Sequence, residues 1–187
     1  MIGKRPMLDK VKSILSGCPG RLSQFVRERQ AAAAVEFALI VVPFLALLFA
    51  IIETALVFFA GQSLQTAAAA AGRMILTGQA QSAGWSADQF KQQVCGQIYG
   101  IFDCANSVYI DVQSYSSFAS VNLNPPVSNG KLNTSSMGYN PGGPGDIVVV
   151  RLYYQFPVYV SLISLSNLNG GYNLLAGTYV YKNESYS

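Results

Sequence analysis

The residues that could do chemistry are few in this sequence, and histidine is not among them. The chain of 187 residues has three cysteines and nine acidic residues. Without histidine, the commonest general base and the Ser-His and Cys-His nucleophile pairs are missing. Two of the thiols, Cys95 and Cys104, lie close together in the chain, but two thiols alone do not complete a four-coordinate zinc site. The sequence therefore predicts no metal site and no cofactor.

The carboxylates that follow residue 60 are scattered: they are Asp88, Asp103, Asp111, Asp146 and Glu184. Asp88 falls in the first turn of a predicted helix, Asp111 at a solvent-facing strand position and Asp146 at the exit of a turn. A glycosidase uses two carboxylates that flank one bond, and nothing in this spacing supports such a pair. The stretches "GQIYG" and "PGGPG" lack the Lys-Ser/Thr of a phosphate loop. We expect that the chain is not an enzyme; a membrane-anchored enzyme or binding domain is the alternative.

One long apolar segment, "AAAAVEFALIVVPFLALLFAII" from residue 31 to residue 52, contains the carboxylate of Glu36. The apolar character continues past Glu53 to Ala60, and about 20 apolar residues suffice to cross a bilayer. The alternative is the buried helix of a soluble protein, but no other part of the chain is large enough to enclose it. We predict a transmembrane helix. A charge costs on the order of 2.5–3.5 kcal/mol at the bilayer centre and less toward its edge. The presence of Glu36 in this segment therefore requires an explanation.

Basic residues indicate the orientation of this helix. Residues 1–31 hold seven bases and two acids, whereas residues 61–187 hold five of each. The excess of positive charge before the span places the N-terminus in the cytoplasm and exports the rest. This topology is a simpler explanation of the basic segment than nucleic-acid binding, and we predict no nucleic-acid partner. An ordinary signal peptide has a shorter leader and a shorter apolar run; cleavage after Ala60, before "GQSLQTAAAAAG", would release the domain.

Helical spacing does not stop at the end of the span. The pattern predicts one helix from about residue 32 to residue 77, with Gly78 just beyond its end and a kink at Pro43. A second helix begins at a capping box made by Ser86 and Gln89. Its apolar face comprises Phe90, Val94, Cys95, Ile98 and Ile101.

Three later stretches alternate as strands do: "SVYIDVQSY", "DIVVVRLYYQF" and "NLLAGTYVYKN". The stretch from Ser120 to Gly145, rich in Gly, Pro, Asn and Ser, is either a long surface loop or contains a short strand. The predicted fold is therefore α+β, with a long transmembrane helix, a second helix and an antiparallel sheet. Its parts are a basic cytoplasmic leader (1–31), a transmembrane helix with a periplasmic extension (32–78) and a periplasmic domain (79–187).

The cysteines divide by compartment. Cys18 lies in the predicted cytoplasmic leader, where thiols stay reduced. Cys95 and Cys104 lie in the predicted periplasmic domain, where a disulfide between them is permitted. Two buried thiols are the alternative.

Four stretches together resemble the TadE-like family of bacterial proteins that assemble tight-adherence (Tad) pili. The first is the apolar segment, in which a small residue, Ala31, is followed five positions later by Glu36 and then by Phe37. The others are the cysteine-pair segment "VCGQIYGIFDCANSVYIDVQSYSSF", the strand "PGDIVVVRLYYQFPVY" and the closing "YVYKNESY". The resemblance implies a minor pilin or pseudopilin of the inner membrane that associates with the lipid bilayer and with other pilins or Tad assembly proteins. An uncleaved single-pass membrane scaffold is the alternative within this class.

The resemblance also implies roles for single residues. A prepilin peptidase would cut between Ala31, which stands where the family usually has Gly, and Ala32. Glu36 would then lie about 6 Å along the helix from the new N-terminus. A carboxylate and an α-amino group near the membrane surface can neutralise each other. Their pairing would set the stagger of packed helices. Glu53 either does similar work or reaches out to water.

Overall fold

The computed structural model describes residues 29–98, 103–159 and 166–185. Most of the predicted basic leader, with Cys18, lies outside the described residues. The chain divides into two compact units, Met1–Phe49 and Ala50–Ser187.

The first helix, α1, runs from Arg29 to Leu76 and includes Pro43. It ends where the sequence predicted, because the backbone N–H of Gly78 bonds to the carbonyl of Ile75 at 2.9 Å and Gly78 has a φ of 74°. Glycine adopts this left-handed conformation without steric cost. The segment Ala32–Leu76 is long and apolar enough to cross a membrane, and only 6% of its most apolar window is buried.

The second unit contains the remaining elements. Its helices are α2 (Gln79–Ser82), α3 (Ala87–Cys95) and α4 (Cys104–Ser107). Its strands are β1 (Val108–Tyr115), β2 (Val127–Ser128), β3 (Lys131–Leu132), β4 (Ile147–Pro157) and β5 (Tyr172–Lys182), and a 3-10 turn covers Phe118–Ser120. The capping box of α3 is confirmed, since Ser86 and Gln89 bond reciprocally. Ile101, predicted on the face of that helix, lies outside the described residues.

The main sheet has the order β1–β4–β5, and both neighbouring pairs are antiparallel. Together with the helices it confirms the predicted α+β class. The stretch between β1 and β4 contains a short hairpin, β2–β3, so the second of the two predicted alternatives is correct. Asn129 and Gly130 form its turn, both with positive φ, as an Asn-Gly hairpin turn requires.

The core lies between one face of this sheet and the helices. On α1, the buried residues Leu64, Ala68, Ala71 and Ile75 recur at helical spacing and share a cluster with Val148, Val150 and Leu152 of β4 and with Phe90 and Val94 of α3. The helix and β5 approach closely, because a Cβ atom added at Gly177 would lie 2.4 Å from the carbonyl oxygen of Leu64. Small residues on both sides therefore make this packing possible.

Polar contacts fix the direction and the edges of the sheet. The side-chain amide of Gln65 donates to the carbonyl of Thr178 at 2.8 Å and accepts from the N–H of Thr178 at 3.1 Å. Further along, the N–H of Glu184 donates to the carbonyl of Leu76. Strand β5 therefore runs in the same direction as α1. At the opposite edge, the backbone of Val112 in β1 bonds to Gly138 and Asn140.

Candidate functional site: the carboxylates of the apolar helix

Glu36 lies among large apolar side chains that are open to the surroundings. Val35, Phe37, Leu39 and Ile40 are between 59% and 71% exposed, and Glu36 and Ala32 are exposed too. Ala31 lies within the helix. A helix that is apolar on all sides and not covered by protein is typical of a membrane span. The predicted assembly residues Ala32, Glu36 and Phe37 are therefore accessible to lipid or to another helix.

Glu53, the second carboxylate of α1, has different surroundings. It is 6% exposed, and its Oε1 accepts a hydrogen bond from the backbone N–H of Tyr159 at 2.7 Å. Its neighbours one to two turns along the helix, Ala50 and Ala60, are buried as well, so Glu53 belongs to the stripe of α1 that faces the rest of its unit. Glu53 therefore does not reach out to water in the structure. Tyr159 was missed because 106 positions separate the two residues.

The disulfide between Cys95 and Cys104 is present, with Cα atoms 5.5 Å apart. It joins the last residue of α3 to the first residue of α4, which continues directly into β1. Asp103 caps α4 by accepting from Asn106. The side-chain amide of Asn106 holds the pKa of the Asp103 carboxyl below its ordinary value. The disulfide therefore fastens α3 to the start of the sheet.

The prediction that Asp111 faces solvent is wrong. Asp111 is 1% exposed, and its Oδ2 accepts from Nε of Arg151 at 3.0 Å and also from Nη2. Its Oδ1 accepts from the side chain of Gln113 at 2.8 Å and from the backbone of Gly138 at 3.0 Å. The alternation of β1 placed Asp111 on the face away from the core, but the stretch between β1 and β4 covers that face.

This buried pair has a second set of neighbours. Nη1 of Arg151 donates to the carbonyl of Asn122 at 3.0 Å. Burial raises the pKa of the neighbouring Tyr153 phenol above its ordinary value, while the positive charge of Arg151 opposes that shift. A buried charge pair needs its remaining hydrogen-bonding positions filled, and here Gln113 of β1 and the long connection fill them. The pair therefore holds the connection on the sheet.

Asp88 and Asp146 each have a separate local position in the second unit. Asp88 lies in the first turn of α3, and Asp146 accepts from the N–H of Gly143 at 2.8 Å. Within the described residues, no group of three His, Cys, Asp or Glu side chains could hold a metal ion. The geometry therefore gives these carboxylates structural roles.

The apolar helix also carries the similarity to known proteins. Residues 31–73 match a protein-family model described as "TadE-like protein". The predicted TadE-like resemblance is confirmed over this segment, which begins at Ala31 and includes both carboxylates of α1. The other three stretches that resemble the TadE-like family lie beyond the matched residues. No curated protein and no solved structure matches the chain.

The match and the helix together support two coarse statements. The TadE-like family suggests a protein related to Tad pili, and the N-terminal apolar helix suggests anchoring in a membrane.

Proposed function

We propose that the chain is a minor pilin or pseudopilin that supports assembly of a Tad-type pilus by helix packing in the bacterial inner membrane. The observation that carries the proposal is the TadE-like match at residues 31–73, on a helix whose first apolar residues are exposed. Its activity is association and not catalysis. The acids of the second unit support this view, because Asp103, Asp111 and Asp146 each stabilise local structure.

Charge and the cysteines support the proposed orientation. Seven bases lie within residues 1–31, before the apolar run, which favours a cytoplasmic N-terminus. The disulfide between Cys95 and Cys104 supports a periplasmic location for the second unit, because such bonds persist in oxidising compartments.

Helix packing in lipid depends on close approach and on polar contacts. Ala32, Ala33 and Ala34 are small and exposed, so a neighbouring helix can approach the start of α1. Prepilin peptidase would cut between Ala31 and Ala32, which places an α-amino group one to two turns from Glu36. Pairing of this amine with the carboxylate, within one copy or between copies, would fix the stagger, since a slip would leave an unpaired charge in lipid.

The test is Glu36→Ala in the full chain, expressed in cells that lack the native copy. The variant should insert in the membrane at least as well as the native chain, because a charge is removed. It should fail to support pilus assembly, and Glu36→Asp should be partly defective because its stem is shorter. Val35→Ala, at the neighbouring exposed position, is the matched control and should give normal pili.

Processing is measured on the same samples by mass spectrometry of the mature N-terminus. Native protein and Ala31→Gly should begin at Ala32, whereas Ala31→Lys should stay uncut and give few pili. If the native chain stays full length and Ala31→Lys changes nothing, the protein is an uncleaved scaffold. Normal pili from a Glu36→Ala chain that inserts would refute the role given to this carboxylate.

A further inference from the structure

Large apolar side chains of α1 remain exposed beyond the first unit. In the second unit, Ile51, Leu56, Phe58 and Phe59 are between 46% and 68% exposed. They alternate with the buried stripe that includes Glu53 and Ala60. At this level one face of α1 therefore packs on its own unit while the other presents apolar and aromatic groups outward. The exposed run lies within the segment Ala32–Leu76, which is long and apolar enough to cross a membrane.

Tyr159 lies at the same level of the helix. It is 81% exposed, although its backbone N–H is held by Oε1 of Glu53 at 2.7 Å. The preceding residue, Val158, donates to the carbonyl of Gly171 at 2.8 Å. The backbone is thus fixed on two sides while the ring points outward. An aromatic ring with a polar hydroxyl, beside an apolar helix, suits the boundary between lipid and water.

The register of the sheet shows which end of the second unit this is. Strand β5 runs in the direction of α1, with Gly177 beside Leu64 and Glu184 beside Leu76. Strand β4 is antiparallel to β5, so β4 ends near the start of the unit's part of α1, where Glu53 lies. Strand β1 ends with Tyr115 opposite Ile147, at the other end of the sheet, and the exposed Phe118 follows it.

We propose that Tyr159, Phe58 and Phe59 lie in the headgroup region of the outer leaflet, and that the bond from Glu53 to Tyr159 sets the depth of this end of the second unit. Burial of the Glu53 carboxylate keeps its charge out of lipid at the point where the helix leaves the bilayer. The proposal rests on the membrane orientation in the proposed function. It does not rest on a role in pili and would hold equally for an uncleaved scaffold.

The experiment places a single tryptophan at chosen depths of the full chain. Trp85 is the native tryptophan, and Trp85→Phe provides the background. Tyr159→Trp is the probe, Phe118→Trp is the matched exposed aromatic at the other end of the sheet, and Phe44→Trp marks the span. Each protein is reconstituted in phosphatidylethanolamine–phosphatidylglycerol vesicles that contain lipids brominated either near the glycerol or near the end of the acyl chain.

We expect the tryptophan at position 159 to be quenched at least about twofold more by the shallow bromines than by the deep ones. The tryptophan at position 118 should not be quenched, and the one at position 44 should be quenched by the deep bromines. Adding Glu53→Ala should reduce the shallow quenching at position 159, whereas adding Ser63→Ala, on the same helix, should leave it unchanged. The same substitutions in chains that keep Trp85 provide a second reading if the Trp85→Phe background folds poorly.

The outcomes separate the two proposals. Quenching at position 44 without any at position 159 would leave the membrane anchor standing and overturn the inference, and would point to a second copy as the cover of this surface. Absence of quenching at position 44 would overturn both. Shallow quenching at position 159 that survives Glu53→Ala would refute the role of Glu53 in setting the depth.

Discussion

Two stretches of α1 are both rich in apolar residues, yet their surroundings differ. Between residues 35 and 49 most side chains are large, and Phe37, Phe44 and Leu47 are more than half exposed. Between residues 60 and 75 the inward positions are mostly alanine, and Ala60, Ala68 and Ala71 are fully buried. Large side chains present area to lipid, whereas small ones let a strand approach the helix backbone. Residue size therefore distinguishes the inward positions of the second stretch from the exposed side chains of the first.

The carboxylates follow the same division. Glu36 lies in the exposed stretch, and Glu53 lies where the buried stripe begins. Glu53 has a partner in its own unit, so its charge contributes to the structure of one chain. Glu36 is placed where lipid or a neighbouring helix can meet it. One helix thus carries one acid that is buried in its own unit and one acid that is exposed.

The largest expected effect comes from a substitution in the sheet. It tests whether the stability of the sheet is independent of the exposed stretch of α1. Arg151→Met should lower the free energy of unfolding of the second unit by about 3–5 kcal/mol, because the Asp111 carboxylate stays buried without its guanidinium. Membrane insertion should not change. Denaturant titration of the detergent-solubilised chain measures the first quantity, and carbonate extraction of membranes measures the second.

Lys182→Met is the control for that substitution, because it removes an exposed cation from the neighbouring strand and should cost less than about 0.5 kcal/mol. The double variant Asp111→Leu with Arg151→Met should regain much of the loss, since no lone charge remains. A loss for Arg151→Met no greater than that for Lys182→Met would contradict the account of the buried pair.

Two leucines of the helix test the comparison directly. Leu64 is fully buried and Leu47 is 62% exposed. Leu64→Ala should destabilise the second unit by about 3 kcal/mol through lost burial and a cavity, whereas Leu47→Ala should leave its unfolding unchanged. Thermal melts of both variants, followed by near-ultraviolet circular dichroism, provide the measurement. Equal shifts in the two melts would show that the stretches do not differ as described.

The disulfide has a somewhat smaller expected effect. The bond closes a short loop, with a sequence separation of 9, and removing it should cost about 2.5 kcal/mol in the chain-entropy model. Cys95→Ser with Cys104→Ser should therefore unfold at lower denaturant, while Cys18→Ser should behave like the native chain. Alkylation of the native protein with and without reductant counts the free thiols. Labelling of both Cys95 and Cys104 without reductant would disprove the bond.

The smallest effect concerns two glycines of α1. A Cβ at Gly72 would lie 2.3 Å from Cδ1 of Tyr179, whereas one at Gly61 would meet nothing within 4 Å. Gly72→Ala should destabilise the unit by about 1–2 kcal/mol through overpacking. Gly61→Ala should stabilise it by roughly 0.5–1 kcal/mol, since alanine favours helix. Denaturant midpoints, compared between variants whose unfolding curves have equal slopes, show whether each substitution stabilises or destabilises the unit. A stabilising effect of Gly72→Ala would refute the close packing.

The sequence was informative wherever neighbours along the chain determine structure. The capping box of Ser86 and Gln89 and the helix end at Gly78 depend on residues within a few positions, and both are found. The burial of Asp111 was not predictable in the same way, because alternation shows which face a residue lies on but not what covers that face. The cover comes from Gly138 and Arg151, 27 and 40 positions away.

The candidate site likewise has a part that was predictable from the sequence and a part that was not. The residue types around Ala31 and Glu36 pointed to the family before any fold was known, and the matched segment begins there. The partner of Glu53 could not be found, because a backbone N–H has no residue type and Tyr159 lies far along the chain. Contacts of this kind become visible only when the register of β4 and β5 against α1 is known.

The edge bonds of the sheet have a consequence for how copies of this chain can join. The side chain of Gln65 occupies both backbone groups of Thr178 on β5, and Gly138 and Asn140 occupy those of Val112 on β1. A strand donated by another copy would have to displace these partners before it could extend the sheet. Extension of the sheet by a donated strand is therefore blocked at these two positions.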